Sequence, residues 1–131
     1  LTFHRAFDVC RGPLQAMEQL IELGFTRILT SGQAASALDG TDLLRRLVEQ
    51  SRGRITILAG GGVNPQNAAM IISRSGVSEL HASARTQVKS LMQYRVDGVS
   101  MGAPESDEYI RATTSAAVVR DIVNAMKTVK I

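Results

Sequence analysis

The sequence has no tryptophan, a single cysteine and no clustered run of basic residues, and each shortage removes a class of protein. With aromatics at 4%, the core has to be aliphatic, built from Leu, Ile, Val, Ala and Met. The lone thiol, Cys10, cannot form an internal disulfide and suits a reducing compartment. No apolar stretch approaches the ~20 residues needed to cross a bilayer. No basic-then-apolar leader opens the chain, so the expected location is the cytoplasm. The net charge of +3 comes from scattered Lys and Arg, so neither nucleic acid nor a membrane is an expected partner. What remains, 44% apolar and 21% charged residues over 131 positions, fits one ordinary domain with a sizeable core.

Four strand-like runs recur along the chain, each followed by a helical pattern or a loop: Leu1 to Phe7, Arg27 to Thr30, Ile55 to Ala59 and Val77 to Ala82. After the first, Pro13 early and Gly24 late punctuate a helix with apolar positions Leu14, Met17, Leu20 and Ile21. After the second, a ten-residue loop reaches a helix that Thr41 would cap and that buries Leu43, Leu44, Leu47 and Val48. After the third, Asn64 is the expected N-cap and Pro65 the first helical residue, with Ala68, Ile71 and Ile72 buried. Residues 86–112 read as polar and irregular. Thr114 or Ser115 then caps a last helix with the stripe Val118, Val119, Ile122, Val123, Met126 and Val129.

Strands alternating with helices predict parallel βα units. A closed eight-stranded βα barrel takes about 250 residues, so four units make about half of one. A doubly wound sheet is the competing architecture. The start "LTFHRAF", in mid-strand with no cap or turn before it, is the start expected of a fragment whose upstream half is missing.

In parallel βα proteins chemistry gathers at the carboxyl ends of the strands. Those ends here carry "HRAFD" (His4, Arg5, Asp8), "TSGQ" (Thr30, Ser31, Gly32, Gln33), "GGG" (Gly60, Gly61, Gly62) and "HASAR" (His81, Ser83, Arg85). A glycine-rich turn entering a helix amino terminus exposes N–H groups beside a partial positive charge, which suits an anion. The same glycines would also serve a plain tight turn. Gln33, the three glycines, Ser83 and Arg85 are therefore the candidate anion-binding residues.

Glu79, His81 and Ser83 alternate with apolar residues and share a strand face. His81 with Glu79 would form a general acid–base, or a histidine satisfied by its carboxylate for structural reasons. His4 and Arg5 face opposite ways on a regular strand and reach one site only if the strand bulges or ends there. Arg5 would clamp a carboxylate or phosphate, or pair with Asp8. His4, Arg5, Asp8 and His81 are the candidate catalytic residues. The sequence has no spaced zinc motif, P-loop or G-x-G-x-x-G.

Taken together and in order, "TFHRAFD", "RILTSGQ", "ILAGGGV" and "ELHASAR" resemble the CutC copper-homeostasis family, over nearly the whole chain. The likeness is to the carboxyl-terminal half of that family's protein and close to a vertebrate member. It implies that residues 1–131 are half of a single TIM-barrel domain of class α/β, supplying about the last four βα units. It also implies a cytoplasmic and nuclear location, dimers or tetramers, and a role in copper handling with copper(I) as the bound ion. Copper(I) takes soft thiolate or thioether ligands. This chain has one Cys and five scattered Met, so Cys10 is the sole metal candidate and the ligands are expected in the absent half. The alternative, from the strand-end residues themselves, is a barrel enzyme acting on a small anionic or phosphorylated metabolite.

Overall fold

The computed structural model describes residues 1–94, Val96, Gly98 and 109–129. Strands β1 (Thr2–Phe3), β2 (Arg27–Thr30), β3 (Thr56–Gly60) and β4 (Glu79–His81) form one parallel sheet in the order β1-β2-β3-β4. Helices α1 (Pro13–Glu22), α2 (Thr41–Ser51) and α3 (Ala68–Ser75) make the crossovers between them. The βα alternation is therefore as read from the sequence, and it gives an α/β fold with a parallel sheet.

Strand parity sorts the side chains. Ile28, Ile57 and Ala59 face the helices and are buried with Met17, Leu44, Leu47 and Ile71 in one aliphatic core. The opposite face carries Arg27, Leu29, Thr56, Leu58, Glu79 and His81, all half-buried or exposed. Across it the Arg27 guanidinium grips the Glu79 carboxylate with both arms, at 2.6 and 2.8 Å, passing over β3. These hydrogen bonds hold the Glu79 carboxyl below its ordinary range and push Arg27 up.

The local departures have identifiable causes. The first strand stops at Phe3 rather than Phe7, because His4 turns its Nδ1 back to accept from the Ala6 N–H at 3.0 Å and caps a short 3₁₀ helix, Arg5–Val9. Gly40, not Thr41, is the N-cap of α2, and the Thr41 hydroxyl donates instead to the Leu38 carbonyl. Asn64 and Asn67 exchange hydrogen bonds in a reciprocal capping box: Asn64 Oδ1 accepts from the Asn67 N–H at 3.0 Å and Asn67 Oδ1 from the Asn64 N–H at 2.9 Å. A turn over 65–67 follows, and the regular helix starts only at Ala68.

The span expected to be irregular contains order. Strands β5 (Arg85–Lys89) and β6 (Ile110–Thr114) pair antiparallel in a separate two-stranded sheet. Residue 95, residue 97 and residues 99–108 of that span lie outside the described residues. Helix α4 (Ala116–Lys127) is capped by the Ser115 hydroxyl, as expected, through the Val118 N–H. Of its stripe Ile122 is buried, whereas Val119 and Val123 are two-fifths exposed.

Candidate functional site

The carboxyl ends of β1 to β4 meet around a cavity of about 230 Å³. Its polar lining is Arg5, Gly61, Gly62, His81 and Ser83, with Leu29 as one apolar wall. Four segments separated by as much as 78 positions thus reach one space, and parallel topology is what brings them there. Among the described residues, neither the His81 ring nor the Ser83 hydroxyl has a hydrogen-bond partner.

The three glycines are explained by what lies against their backbone. A Cβ on Gly60 would come 2.7 Å from Leu29 Cδ1 and 3.2 Å from His81 Cβ. On Gly61, whose φ is +113°, it would come 3.3 Å from both Arg5 Nη1 and Ser31 Cβ. The chain is stripped of side chains there so that Arg5 and His81 can pack on it. The anion cradle expected from the α3 amino terminus is not built that way. The N–H groups of Gln66 and Asn67 are already taken by the Asn64 side chain, and the regular helix begins six residues beyond Gly62. The positive charge on the cavity wall is that of Arg5 instead.

Arg5 is held on two sides. Its Nε donates to Asp8 Oδ2 at 2.6 Å and its Nη2 to the Ser31 hydroxyl at 2.9 Å. Asp8 in turn accepts from the Thr30 hydroxyl at 2.5 Å and from the Ser31 and Gln33 N–H groups at 3.1 and 3.3 Å. Burial pushes the Asp8 carboxyl up, but the hydrogen bonds from Thr30, Arg5, Ser31 and Gln33 outweigh it and hold it below its ordinary value. Asp8 is thus a fixed anion whose acceptor sites are filled.

The other predicted residues lie outside the cavity lining. His4 caps the 3₁₀ helix and stacks on Phe3 with ring centroids 5.5 Å apart. Gln33, with φ +58°, turns its amide to the Phe7 and Cys10 carbonyls and, at 3.5 Å, to the Cys10 sulfur. Gly60 ends β3 beneath His81, and Arg85 opens β5, exposed. The Glu79–His81 pairing is overturned, because the Glu79 oxygens are bound by Arg27. Thr30 and Ser31, marked at the strand end but not among the candidate catalytic or anion-binding residues, hold Asp8 and Arg5 rather than line the cavity.

Among the described residues no three His, Cys, Asp or Glu side chains converge on a point that could hold a metal. Met17 is sealed in the core, and Met70 and Met92 are exposed. No helix among the described residues is long and apolar enough to cross a membrane.

A model of the CutC family matches residues 1–86, which include β1 to β4 and every cavity residue. A family protein CutC of Chromobacterium violaceum is 54% identical over 126 residues, covering 96% of this chain and 51% of that protein. One of Bacteroides thetaiotaomicron is 52% identical over 128 residues, covering 97% and 51%. The solved structure of CutC from Streptococcus agalactiae, named for copper homeostasis, matches with a TM-score of 0.59 at 38% identity, covering 62% of this chain and 40% of that one. The chain spans about half the length of the curated relatives it matches. The relatives named here are bacterial, whereas the motif likeness pointed to a vertebrate member.

Proposed function

Because this chain belongs to the CutC family, we propose that it serves copper homeostasis as half of a βα barrel, and that its strand-end cavity binds a small anion. The observation that carries the second part is the convergence of Arg5, Gly61, Gly62, His81 and Ser83 on one cavity. A guanidinium over a bare backbone, with a free imidazole and hydroxyl opposite, recognises an oxyanion such as a carboxylate or phosphate. In this reading His81 is the general acid–base of an enzyme acting on a small anionic metabolite. The sheet is open at β1 and β4, and four parallel units supply half the strands of an eight-stranded barrel. Barrel closure, self-association into dimers or tetramers and a cytoplasmic and nuclear setting go with the family reading.

Titration with inorganic phosphate, followed by amide shifts, tests the cavity. Saturable shifts are expected at Gly61, Gly62 and Ser83, and Arg5→Ala is expected to weaken binding about tenfold or more, as loss of a charge-assisted hydrogen bond does. Shifts confined to other surfaces would reject the reading.

Copper(I) enters this account as cargo, with its ligands outside this chain. Titration under reducing conditions is therefore expected to give the same weak binding for wild type and Cys10→Ser. Tight binding that disappears in the Ser variant would place the site here after all.

A further inference from the structure

The orientation of Arg5 is over-determined, and the direction of each hydrogen bond says why. The Ser31 hydroxyl donates its proton to the Ala34 carbonyl at 2.7 Å, so a lone pair is left facing Arg5 Nη2. The Thr30 hydroxyl donates to Asp8 and accepts from the Gly32 N–H at 2.9 Å. Asp8 is thereby locked with one oxygen toward Arg5 Nε. Two of the three guanidinium nitrogens are occupied. Among the described residues the third, Nη1, has no hydrogen-bond partner, and it lies against Gly61 on the cavity wall.

We propose that Asp8, fixed by Thr30 and the Ser31 N–H, is a positioning residue for Arg5, turning the free Nη1 edge of its guanidinium toward an oxyanion in the cavity. The proposal rests on the reading of the cavity as an anion site. It adds that binding is pre-organised: the fork is already held, so an anion is met without ordering a long side chain, a cost that usually weakens association. It also gives a reason for the 3₁₀ helix, which brings Asp8 back to Arg5 three positions on, a geometry the predicted strand would not have provided.

Two measurements test it. The first needs no ligand: solvent exchange of the Arg5 Nε–H by NMR, compared with that of the exposed Arg11. Exchange slowed about tenfold or more is expected for Arg5, as for a hydrogen-bonded group, and is expected to be lost in Asp8→Asn. Equal exchange at Arg5 and Arg11 in the wild type overturns the proposal, whether or not the variant folds.

The second measures affinity for inorganic phosphate and for acetate in wild type, Asp8→Asn, Arg5→Ala and the double variant. Asp8→Asn keeps an oxygen for Thr30 and Ser31 and is expected to weaken binding about tenfold, with no further loss when added to Arg5→Ala. An equal loss in both backgrounds means that Asp8 does not act through Arg5, and overturns the proposal. If Arg5 is held yet neither anion binds, the anion reading fails and takes this proposal with it. If anions bind while Arg5 is loose, only this proposal fails. Whichever probe shows the larger non-additive loss identifies the ligand group as carboxylate or phosphate.

Discussion

An alanine at Gly40 is expected to lower stability by about 4 kcal/mol, the size reserved for a core-level steric fault, read as a fall in the urea midpoint with an unchanged slope. The backbone angle is not the cause, since φ at Gly40 is −89°, open to any residue. The cause is contact. A Cβ there would overlap the Ser31 carbonyl oxygen and crowd Gly32 Cα, and a Cβ on Gly32 would overlap the Gly40 carbonyl in return. These two glycines let the loop close backbone against backbone, and neither neighbour can rotate away. Gly24→Ala is the matched control: its φ is +83° and nothing lies within 4 Å of the added carbon. It should lose only the roughly 1 kcal/mol of left-handed strain. A Gly40→Ala loss no larger than that of the control would show that the loop relaxes freely. The same loop positions Ser31 and Ala34, so the substitution is expected to loosen Arg5 as well.

Asp8→Ala is expected to lower stability by about 3 kcal/mol near pH 7, because it orphans hydrogen-bond donors in a site where the carboxylate is only 9% exposed. The folded carboxyl lies below its usual value of 3.8. A depressed carboxylate contributes stability that is fully present above the unfolded value and is lost as pH falls through the folded one. The gap between wild type and variant should therefore be constant from about pH 5 to pH 8 and narrow in acid below 3.8. Urea midpoints across that range measure it. A gap that narrows on the alkaline side would mean that the ionised carboxylate is not what stabilises the site.

The parts of the fold legible in the sequence are those set by repetition. Apolar spacing and the Pro13 and Gly24 punctuation located α1, and β2 runs over the same four residues as read. Elements decided by a single side chain were not legible. Whether His4 continues a strand or caps a turn depends on one imidazole reaching one N–H, a choice that periodicity does not encode. The β5–β6 hairpin was missed because its exposed strands have no buried face and so no alternating pattern. At the site, Arg5, Gly61, Gly62, His81 and Ser83 are the residues marked by the strand-end rule that line one cavity. Glu79 was given the wrong partner because the neighbour two places along the strand was weighed and the arginine two strands away was not. Gln33 turned inward because its left-handed backbone aims its amide at the Cys10 carbonyl.

The Arg27–Glu79 bridge also acts as a check on alignment. Leu58 stands opposite both Leu29 and Glu79, so the two charges meet only when β2 and β4 are each correctly seated on β3. A slip of one residue would drive a carboxylate into the aliphatic layer under the helices, and a slip of two would shift it ~7 Å along the sheet relative to its guanidinium. The ion pair thus penalises misassembled sheets more than it favours the native one, a service that no tally of native contacts would reveal.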